Sequence, residues 1–412
     1  MKLYLSSLTV RVLALCVGLA LAAAAIGACG GGEKAPQSAF YEFLRFVPDR
    51  PSYRAYLTFG DAAAWHASWG VPRIDNLQQI FDLGPGLYAY WISVMPWQTI
   101  PPSYLLQSTA SEDQRGFYGF DLFNLDRYLV AGNPPDWITV AGFSFDAEQI
   151  AGALTGSGYQ ADELASGGTL YRIGDDYRYD LNSPTTAGRM GDLNRIALLD
   201  GEMVIAKATE LVTASLAAYN NEIPSLADDP EYVALAQALN DPALAGTGQL
   251  MGAIVMDDLE TTLRESIVTL RETNPAMQEL QERLAEGNQG PQLPAYSLVA
   301  FVTRHTEGAT YLILAVVFPK GTDGQAAADL LADRLQNYVS LASKRRLMEM
   351  WAKYGASPEK AIAVNAGGLP VALVLVRADD PAPAASSREM STVSVPRWVD
   401  LVARRDLGFL WR

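Results

Sequence analysis

The chain has 412 residues, of which 49% are hydrophobic, 19% charged and 10% aromatic. This composition excludes disordered, collagen-like and disulfide-rich miniprotein classes. The 46 acidic residues outnumber the 31 lysines and arginines, and the resulting net charge of −15 predicts no nucleic-acid partner. Because the chain has two cysteines and two histidines, it offers little material for a zinc site, a redox pair or a histidine-based triad.

The amino terminus has the three parts of a secretory signal in the expected order. Lys2 and Arg11 supply positive charge, and residues 12–25 form an apolar run rich in leucine and alanine. The tetrad Ile26-Gly27-Ala28-Cys29 resembles the lipobox of bacterial lipoproteins. The resemblance implies cleavage before Cys29, a diacylglyceryl group on its thiol and acylation of its amine. Each buried methylene contributes about 0.8 kcal/mol, so two or three acyl chains would form a lasting anchor.

An uncleaved transmembrane anchor is the alternative, because residues 12–28 reach the short limit of a spanning helix. The Gly-, Pro- and polar-rich residues 30–38 favour the lipoprotein, since they are typical of a flexible tether. Loss of Lys2 and Arg11 leaves 29 basic against 46 acidic residues, a net charge of −17. Such a chain repels anionic lipid surfaces. The sequence therefore predicts membrane contact through the Cys29 lipid anchor, on the extracytoplasmic side of the bacterial cell membrane or outer membrane.

Strands and helices alternate in the first half of the predicted mature chain. Apolar runs bounded by turn residues predict strands at 53–59, 87–94 and 137–145, and hairpins at 169–181 and 195–207. The second hairpin has the two-residue turn Asp200-Gly201. Acidic caps at Asp61 and Asp146 predict helices that begin there, and two further helices are predicted at 209–219 and 230–239.

The second half repeats this alternation. Strands are predicted at 249–256 and 371–376, with a hairpin over 296–318. Helices are predicted at 257–271 and 274–284, at 325–354 as the longest of the chain, and at 396–405 as an amphipathic terminal helix.

This order of elements favours an α+β fold with largely antiparallel sheets and packed helices. The predicted organisation is a signal peptide at 1–28, a lipid-anchored flexible tether at 29–38, and two α+β domains or halves at 39–244 and 245–412. Segments 137–154 and 249–267 share the order strand, acidic cap and helix. That shared order is the pattern of two similar halves, although it does not extend to residue identity.

About fifty residues of the body resemble a pattern found in uncharacterised bacterial and archaeal exported proteins. The resemblance rests on Gly119-Phe120-Asp121-Leu122, Pro134-Pro135, Gly142-Phe143-Ser144-Phe145-Asp146, Ala153-Leu154, Gly158-Tyr159 and Leu170-Tyr171. That group has no catalytic motif that can be transferred, so the resemblance implies no activity.

Catalytic motifs of known families are absent from the sequence: it has no H-E-x-x-H, C-x-x-C, P-loop or G-x-S-x-G segment. Ser357-Pro358-Glu359-Lys360 matches S-x-x-K, but S-D-N and K-T-G are missing, and a serine before proline predicts a helix N-cap. His66 is predicted to pack beside tryptophans in a short helix, and His305 to face solvent at a hairpin tip. We therefore predict no enzyme, no catalytic residue, no metal site and no cofactor.

Three pairs of acids raise the question of a calcium site: Asp175-Asp176, Asp228-Asp229 and Asp257-Asp258. The last two pairs stand where helices are predicted to begin, and acids there cap free N–H groups and complement the helix dipole. We interpret these two as caps. An ion at Asp175-Asp176 stays open, without further ligands nearby.

An aromatic, proline-rich stretch is the best sequence candidate for a recognition surface. We predict Trp91, Trp97 and Tyr104 as its binding residues, because interfaces and ligand sites favour these residue types. The alternative is that the aromatic residues of this stretch belong to a strand core. The basic and aromatic tail at 397–412 is predicted to dock on the acidic body, with membrane contact as the alternative.

Three functions remain open at this point. The first is a lipid-anchored binding or scaffold lipoprotein of the bacterial envelope, with an unknown protein or small-molecule ligand. The second is a carrier of an apolar ligand or lipid, which requires a cavity of several hundred Å3. The third is an extracytoplasmic hydrolase, which requires two carboxylates roughly 5 to 10 Å apart across a cleft.

Overall fold

The fold is built around a single sheet of antiparallel strands. The structure is a computed structural model, and it describes residues 38–75, 77–84, 113–144, 146–165, 167–178, 180, 191–257, 259, 291–340, 342–380 and 396–411. Residues 37–412 form one compact unit. The predicted signal peptide and residues 29–37 of the predicted tether, with Cys29, lie outside the described residues, whereas Ser38 caps the first helix. The strand predicted at 87–94, Trp97, Tyr104 and most of the helices predicted at 257–284 also lie outside them, and Trp91 belongs to that strand.

Twelve strands of the described residues belong to the sheet. They are β1 (Leu57–Asp61), β2 (Leu125–Ala131), β3 (Ile138–Phe143), β4 (Gln160–Glu163), β5 (Thr169–Arg172), β6 (Arg195–Leu198), β7 (Glu202–Ala206), β8 (Gln249–Asp257), β9 (Leu298–Thr306), β10 (Ala309–Val317), β11 (Ser357–Ala366) and β12 (Leu369–Asp379). Their order is β11-β12-β10-β9-β8-β1-β2-β3-β7-β6-β5-β4.

Helices pack on the sheet. They are α1 (Ala39–Leu44), α2 (Pro51–Arg54), α3 (Ala62–Trp69), α4 (Leu77–Asp82), α5 (Asp113–Tyr118), α6 (Ala147–Gly156), α7 (Thr209–Tyr219), α8 (Pro230–Leu239), α9 (Gly324–Asn337), α10 (Leu347–Ala352) and α11 (Trp398–Ala403). Within the described ranges, no helix has both the length and the hydropathy needed to cross a membrane. The predicted α+β fold with antiparallel strands is confirmed.

The sheet repeats one topology on either side of its centre. In each half, three strands lie side by side in chain order, a helix follows the third strand, and a later hairpin returns so that its second strand pairs with the third. The first half is β1-β2-β3-β7-β6 with α6, and the second is β8-β9-β10-β12-β11 with α9. The first half also inserts β4 and β5 as an outer hairpin. The segment 137–154 thus corresponds to β10 and α9, rather than to 249–267 as its sequence pattern indicated.

The two halves join in the middle of the sheet, where β1 pairs with β8 in antiparallel register. Side chains alternate between the two faces of the sheet along each strand, and helices pack over the apolar side chains on both faces. One face has a continuous core that spans both halves under α1, α7 and α8. The opposite face has three separate clusters, under α5 and α6, under α3, and under α9 to α11 with the carboxyl-terminal segment.

Local signals in the sequence account for many of these elements. The helices at 209–219 and 230–239 and the hairpins at 195–207 and 296–318 are confirmed. Asp146 caps α6 by accepting from the Glu148 amide at 2.8 Å, and Asp323 caps α9 at the Ala326 amide at 3.1 Å. The connection between the third and fourth strands thus enters its helix through an aspartate cap in both halves.

Two predictions are wrong at the carboxyl-terminal side. The helix predicted at 325–354 ends at Asn337, because Tyr338 and Ser340 turn away to donate to the buried Asp406 at 2.6 and 2.5 Å. Ser357 does not cap a helix but begins β11, an edge strand. Pro358 is tolerated there because it stands at a register shift of an edge strand, where a missing N–H leaves no ladder bond unmade.

The hairpin predicted at 169–181 is also wrong. Strand β5 pairs with β4 on one side and with β6 on the other. Tyr177 lies in a turn with φ +60°, and its amide donates to the carbonyl of Lys207 at 3.1 Å.

Candidate functional site

A cavity of about 470 Å3 lies where the ends of three central strands meet the carboxyl-terminal segment. The N-terminal end of β1 and the C-terminal ends of β2 and β8 form one side. The C-terminal end of α11 forms the other. Its lining residues are Ala55, Tyr56, Asn133, Met256, Leu259, Val402, Ala403, Arg405 and Leu407.

Backbone geometry fixes the strand side of this cavity. The amide of Gly132 donates to the carbonyl of Tyr56 at 2.9 Å and so holds the C-terminal end of β2 against the N-terminal end of β1. Gly132 has φ +93°, and a Cβ there would lie 2.8 Å from the carbonyl oxygen of Asp136. Glycine is therefore required at the turn that presents Asn133 to the cavity.

The end of α11 fixes the other side. Arg405 has φ +54°, and its amide donates to Val402 at 3.0 Å, while the Asp406 amide donates to Leu401 at 2.9 Å. A left-handed residue after the last turn is a common way to satisfy the final carbonyls of a helix. Because the Asp406 carboxylate is itself held by Tyr338 and Ser340, the turn that carries Arg405 has a fixed path.

Six of the nine lining residues have apolar side chains, and the other three are Tyr56, Asn133 and Arg405. Leu259 and Leu407 are almost completely buried, whereas Arg405 is exposed at the edge. Burial raises the pKa of Tyr56 to about 12, so its hydroxyl stays protonated at neutral pH and can donate. An apolar cavity of several hundred Å3 with a few polar groups is the usual form of a small-molecule site.

A second constellation joins Ser68, His305 and Asp380. His305 Nε2 lies 3.0 Å from Asp380 Oδ2, and Ser68 Oγ contacts His305 Nδ1. The ring of Trp69 stacks on the imidazole at 4.1 Å with an interplanar angle of 15°. His305 is 2% exposed, so the prediction that it faces solvent is wrong. The reason is that α3 folds over β9 and covers the side chain.

Serine, imidazole and carboxylate in one hydrogen-bonded chain can activate a serine nucleophile. The position of Ser68 works against that chemistry. It lies in the last turn of α3, where the helix dipole disfavours the negative charge of a tetrahedral intermediate. The Gly70 amide that follows already donates to the carbonyl of His66. This geometry supports a polar clamp, in which one buried histidine ties α3 to β9 and to the residue after β12.

His66 has a separate environment on the same helix. Its Nδ1 donates to the carbonyl of Val71 at 2.9 Å, and its ring meets Trp65 edge-on at 4.9 Å. This confirms the prediction that it packs beside tryptophan. Burial lowers the pKa of His66, so the neutral form is favoured in the folded protein.

The carboxylates of the acidic pairs cap helices or pair with arginine side chains. Asp229 caps α8 by accepting from the Glu231 and Tyr232 amides at 2.9 and 3.2 Å, as predicted. Asp257 lies 3.7 Å from a guanidinium nitrogen of Arg54.

The third pair, which the sequence left open, is also engaged. Asp176 accepts from the Thr209 amide at 2.9 Å and pairs with Arg195 at 2.6 Å. Within the described ranges, no group of three or more His, Cys, Asp or Glu side chains has the geometry to hold a metal ion.

Carboxylates also come together around shared partners on the described surface. Asp49, Asp229 and Asp257 all pair with Arg54, at 2.6 Å for Asp49 and 3.7 Å for Asp257. Asp136 and Glu210 both contact the hydroxyl of Tyr177 at 3.0 Å. A protein side chain thus lies between the carboxylates of each group, whereas a hydrolytic pair needs room there for a substrate.

The residues that resemble the exported-protein pattern serve packing and capping. Phe120, Leu154, Tyr159 and Tyr171 are buried in the cluster under α5 and α6. Asp121 pairs with Arg115 at 2.9 Å. The pattern thus describes how apolar side chains pack between the first half of the sheet and helices α5 and α6.

The predicted site residues have different outcomes. Cys29, Trp91, Trp97 and Tyr104 stay predictions, because they lie outside the described residues. The predicted docking of the tail agrees with Trp398 and Phe409, which are 1% and 2% exposed. Sequence reasoning missed Tyr56 and Arg405 as lining residues, because residues so distant along the chain meet only in the folded sheet.

Comparisons with known proteins add little to this geometry. No family model matches the chain, and no curated protein matches it. Solved structures that resemble it include three crystal forms of TP0453, with 8–9% identity and TM-scores of 0.32 to 0.34. The similarity covers 85% of this chain and 95–96% of that chain. With similarity this low, the function has to be argued from the residues themselves.

Proposed function

We propose that this chain is a lipid-anchored, extracytoplasmic binding protein of the bacterial envelope that holds a small, largely apolar ligand in the cavity beside α11. The observation that carries the proposal is the cavity itself, about 470 Å3 in volume with walls from β1, β2, β8 and α11. Its size falls within the range of roughly 300–1,000 Å3 that ligand sites occupy.

The composition of the walls supports binding of a ligand. Removing apolar surface from water contributes about 25 cal/mol per Å2, so a ligand chain gains free energy in proportion to the area of its own surface that it buries beside Met256, Leu259 and Leu407. Tyr56 and Asn133 offer hydrogen bonds that fix its orientation. The proposal assigns binding, not turnover, to this site, and it assigns the Ser68–His305–Asp380 cluster a structural role.

The cellular location in this proposal comes from the sequence. Ile26-Gly27-Ala28-Cys29 is placed directly after an apolar segment and directly before a Gly-rich tether. A lipid on Cys29 would keep the binding domain at a membrane surface without contact between its acidic body and anionic lipid.

Blocking the cavity tests ligand binding. Ala403 lines the cavity and is exposed, so Ala403→Trp places an indole at its mouth while the core stays unchanged. The matched control is Ala352→Trp, an exposed alanine that ends α10. With full-length protein in phosphatidylcholine nanodiscs and a diazirine-bearing dodecyl chain as probe, Ala403→Trp should strongly reduce cross-linking to peptides that contain Met256 or Leu407. Equal labelling of the two variants would refute the cavity as the binding site.

Replacing the cysteine tests the anchor. Cys29→Ser should accumulate as unprocessed precursor without incorporated palmitate, whereas the unaltered protein should be shortened by 28 residues and labelled. A mutant that is processed and labelled like the unaltered protein would exclude lipidation at this position. Full precursor length in both proteins, with retention in the membrane, would favour the spanning anchor instead.

A further inference from the structure

We infer that the ligand of this cavity is a single-chain amphiphile with an anionic head, and that Arg405 binds the head while the apolar walls take the chain. This inference rests on the proposed function and specifies its ligand.

The charge of Arg405 has no counterpart in the part of the protein that is described. The side chain is exposed at the edge of the cavity, and none of the described carboxylates forms an ion pair with it. Its guanidinium stands at the edge of a cavity whose described lining contains no Asp or Glu. Its five donors in a planar fork match the oxygens of a carboxylate or a phosphate.

The backbone at Arg405 also differs from what the turn alone requires. Its φ of +54° lies in the left-handed region, where glycine is unstrained and most other residues are disfavoured. A glycine would end α11 with less strain. An arginine there gives the cavity a cation on a turn whose path is held by Asp406.

The volume limits the size of the ligand. An engineered apolar cavity of roughly 150 Å3 takes one benzene, so about 470 Å3 suits on the order of 18 non-hydrogen atoms. A twelve-carbon chain with a carboxylate or phosphate head fits this limit, whereas a two-chain phospholipid exceeds it. Tyr56, which stays a neutral donor, and Asn133 add hydrogen bonds that a negative head accepts.

The neighbouring arginine provides a matched control. Arg404 is also exposed and carries the same charge one residue earlier, but it does not line the cavity. Arg404→Gln and Arg405→Gln therefore remove the same net charge from the same turn. A general attraction of anions to this surface responds equally to both changes, whereas a specific contact responds to Arg405→Gln.

The experiment uses full-length protein in phosphatidylcholine nanodiscs and three diazirine probes of equal chain length: dodecanoate, dodecyl phosphate and dodecanol. The readout is the probe concentration that half-saturates cross-linking to peptides containing Met256, Val402 or Leu407. We expect an anionic probe to saturate at about fivefold lower concentration than the alcohol, since a partly exposed charge pair contributes on the order of 1 kcal/mol. Arg405→Gln should remove that preference, and Arg404→Gln should keep it. The anion with the lower half-saturation identifies the head as carboxylate or phosphate.

Two outcomes would overturn the inference while the proposed function stands: equal saturation by the alcohol and both anions with labelling that Ala403→Trp blocks, or equal effects of Arg404→Gln and Arg405→Gln. Absence of cavity labelling by all three probes, or labelling that Ala403→Trp leaves unchanged, would refute the proposed function itself.

Discussion

In the first half of the sheet, the strand order β1-β2-β3-β7-β6 continues into the short hairpin β5-β4. In the second half, the same order ends at β11, a strand of ten residues. On the face opposite the shared core, α5 and α6 cover the first half, and α9, α10 and the carboxyl-terminal segment cover the second. Two sections of the chain thus share a topology but use different sequences to cover it.

The difference separates the features that determine the order of the strands from the helices that only cover the sheet. Hairpin turns and capped helices set the path of the strands in both halves. The covering layer differs because each half recruits helices from its own neighbourhood in the chain. Contacts between the halves come from β1 with β8, from the shared core on one face, and from α3, which crosses to β9 through Ser68 and His305.

The largest effect is expected from removing the central aromatic of the second half. Trp398 packs on Phe301 and Trp351, both at 5.3 Å between ring centroids, and its indole N–H donates to Val302 at 3.1 Å. Trp398→Ala should lower the free energy of unfolding by about 3–5 kcal/mol. Tyr118→Ala, at a fully buried position of the first half, makes the comparison, and Tyr354→Ala, which is 40% exposed, is the control.

If the shared core makes the halves one cooperative unit, urea unfolding of both buried variants should show one transition by fluorescence and by circular dichroism. A variant in which one half unfolds well before the other would contradict this interpretation.

The next effect concerns the clamp between the halves. His305→Gln removes the ring that bonds both Ser68 and Asp380, which are partly buried, and the loss of two hydrogen bonds of about 0.5–1.5 kcal/mol each should cost about 1–3 kcal/mol. Ser68→Ala removes one of these bonds and should cost less. Thermal unfolding of the three proteins checks the order. A His305→Gln variant as stable as the unaltered protein would show that the clamp contributes nothing.

His66 provides a pH-dependent contrast on the same helix. Burial lowers its pKa in the folded state below the unfolded value of about 6.5, so the unfolded chain binds the proton more tightly. The stability that neutral His66 gives is complete above pH 6.5 and is lost as the pH falls through that value toward the folded pKa. The difference in unfolding free energy between the unaltered protein and His66→Gln should therefore shrink from pH 8 to pH 5. A difference that stays constant or grows on acidification would have the wrong sign.

The smallest effect on stability is expected at the outer edges. The Gln325 amide covers the edge of β11: its Nε2 donates to Ala361 O at 3.2 Å, and its Oε1 accepts from the Ala363 amide at 3.1 Å. Edge strands with open backbone groups pair with other chains. Gln325→Ala should change the unfolding free energy by less than about 1 kcal/mol but increase self-association in sedimentation, whereas Gln149→Ala on α6 should do neither. A Gln325→Ala variant that stays as dispersed as the control would show that this edge needs no cover.

Sequence reasoning succeeded where the signal lies within a few residues. Asp200-Gly201 determines its turn, and Asp229-Pro230 determines the start of α8, whatever the rest of the chain does. It failed where a distant residue decides. The long helix ends early because of Asp406, which is 68 positions from Tyr338 in the chain.

The same limit applies to the candidate sites. The clamp joins Ser68 to His305 across 237 positions, and no local pattern marks either residue. The sequence predicts docking of the basic tail, but the place of Arg405 at a cavity depends on where three strand ends meet.

The pairing of β1 with β8 also has a consequence for the order of folding during synthesis. β1 ends at residue 61, but the strand that completes its second edge begins at residue 249. Until that strand emerges, the first half can form β1-β2-β3-β7 with one side of β1 unpaired in the middle of the future sheet. Such an edge is a template for pairing with other chains. The nascent protein therefore passes through an interval in which the strand at the centre of its final sheet has an open edge, and pairing with β8 ends that interval.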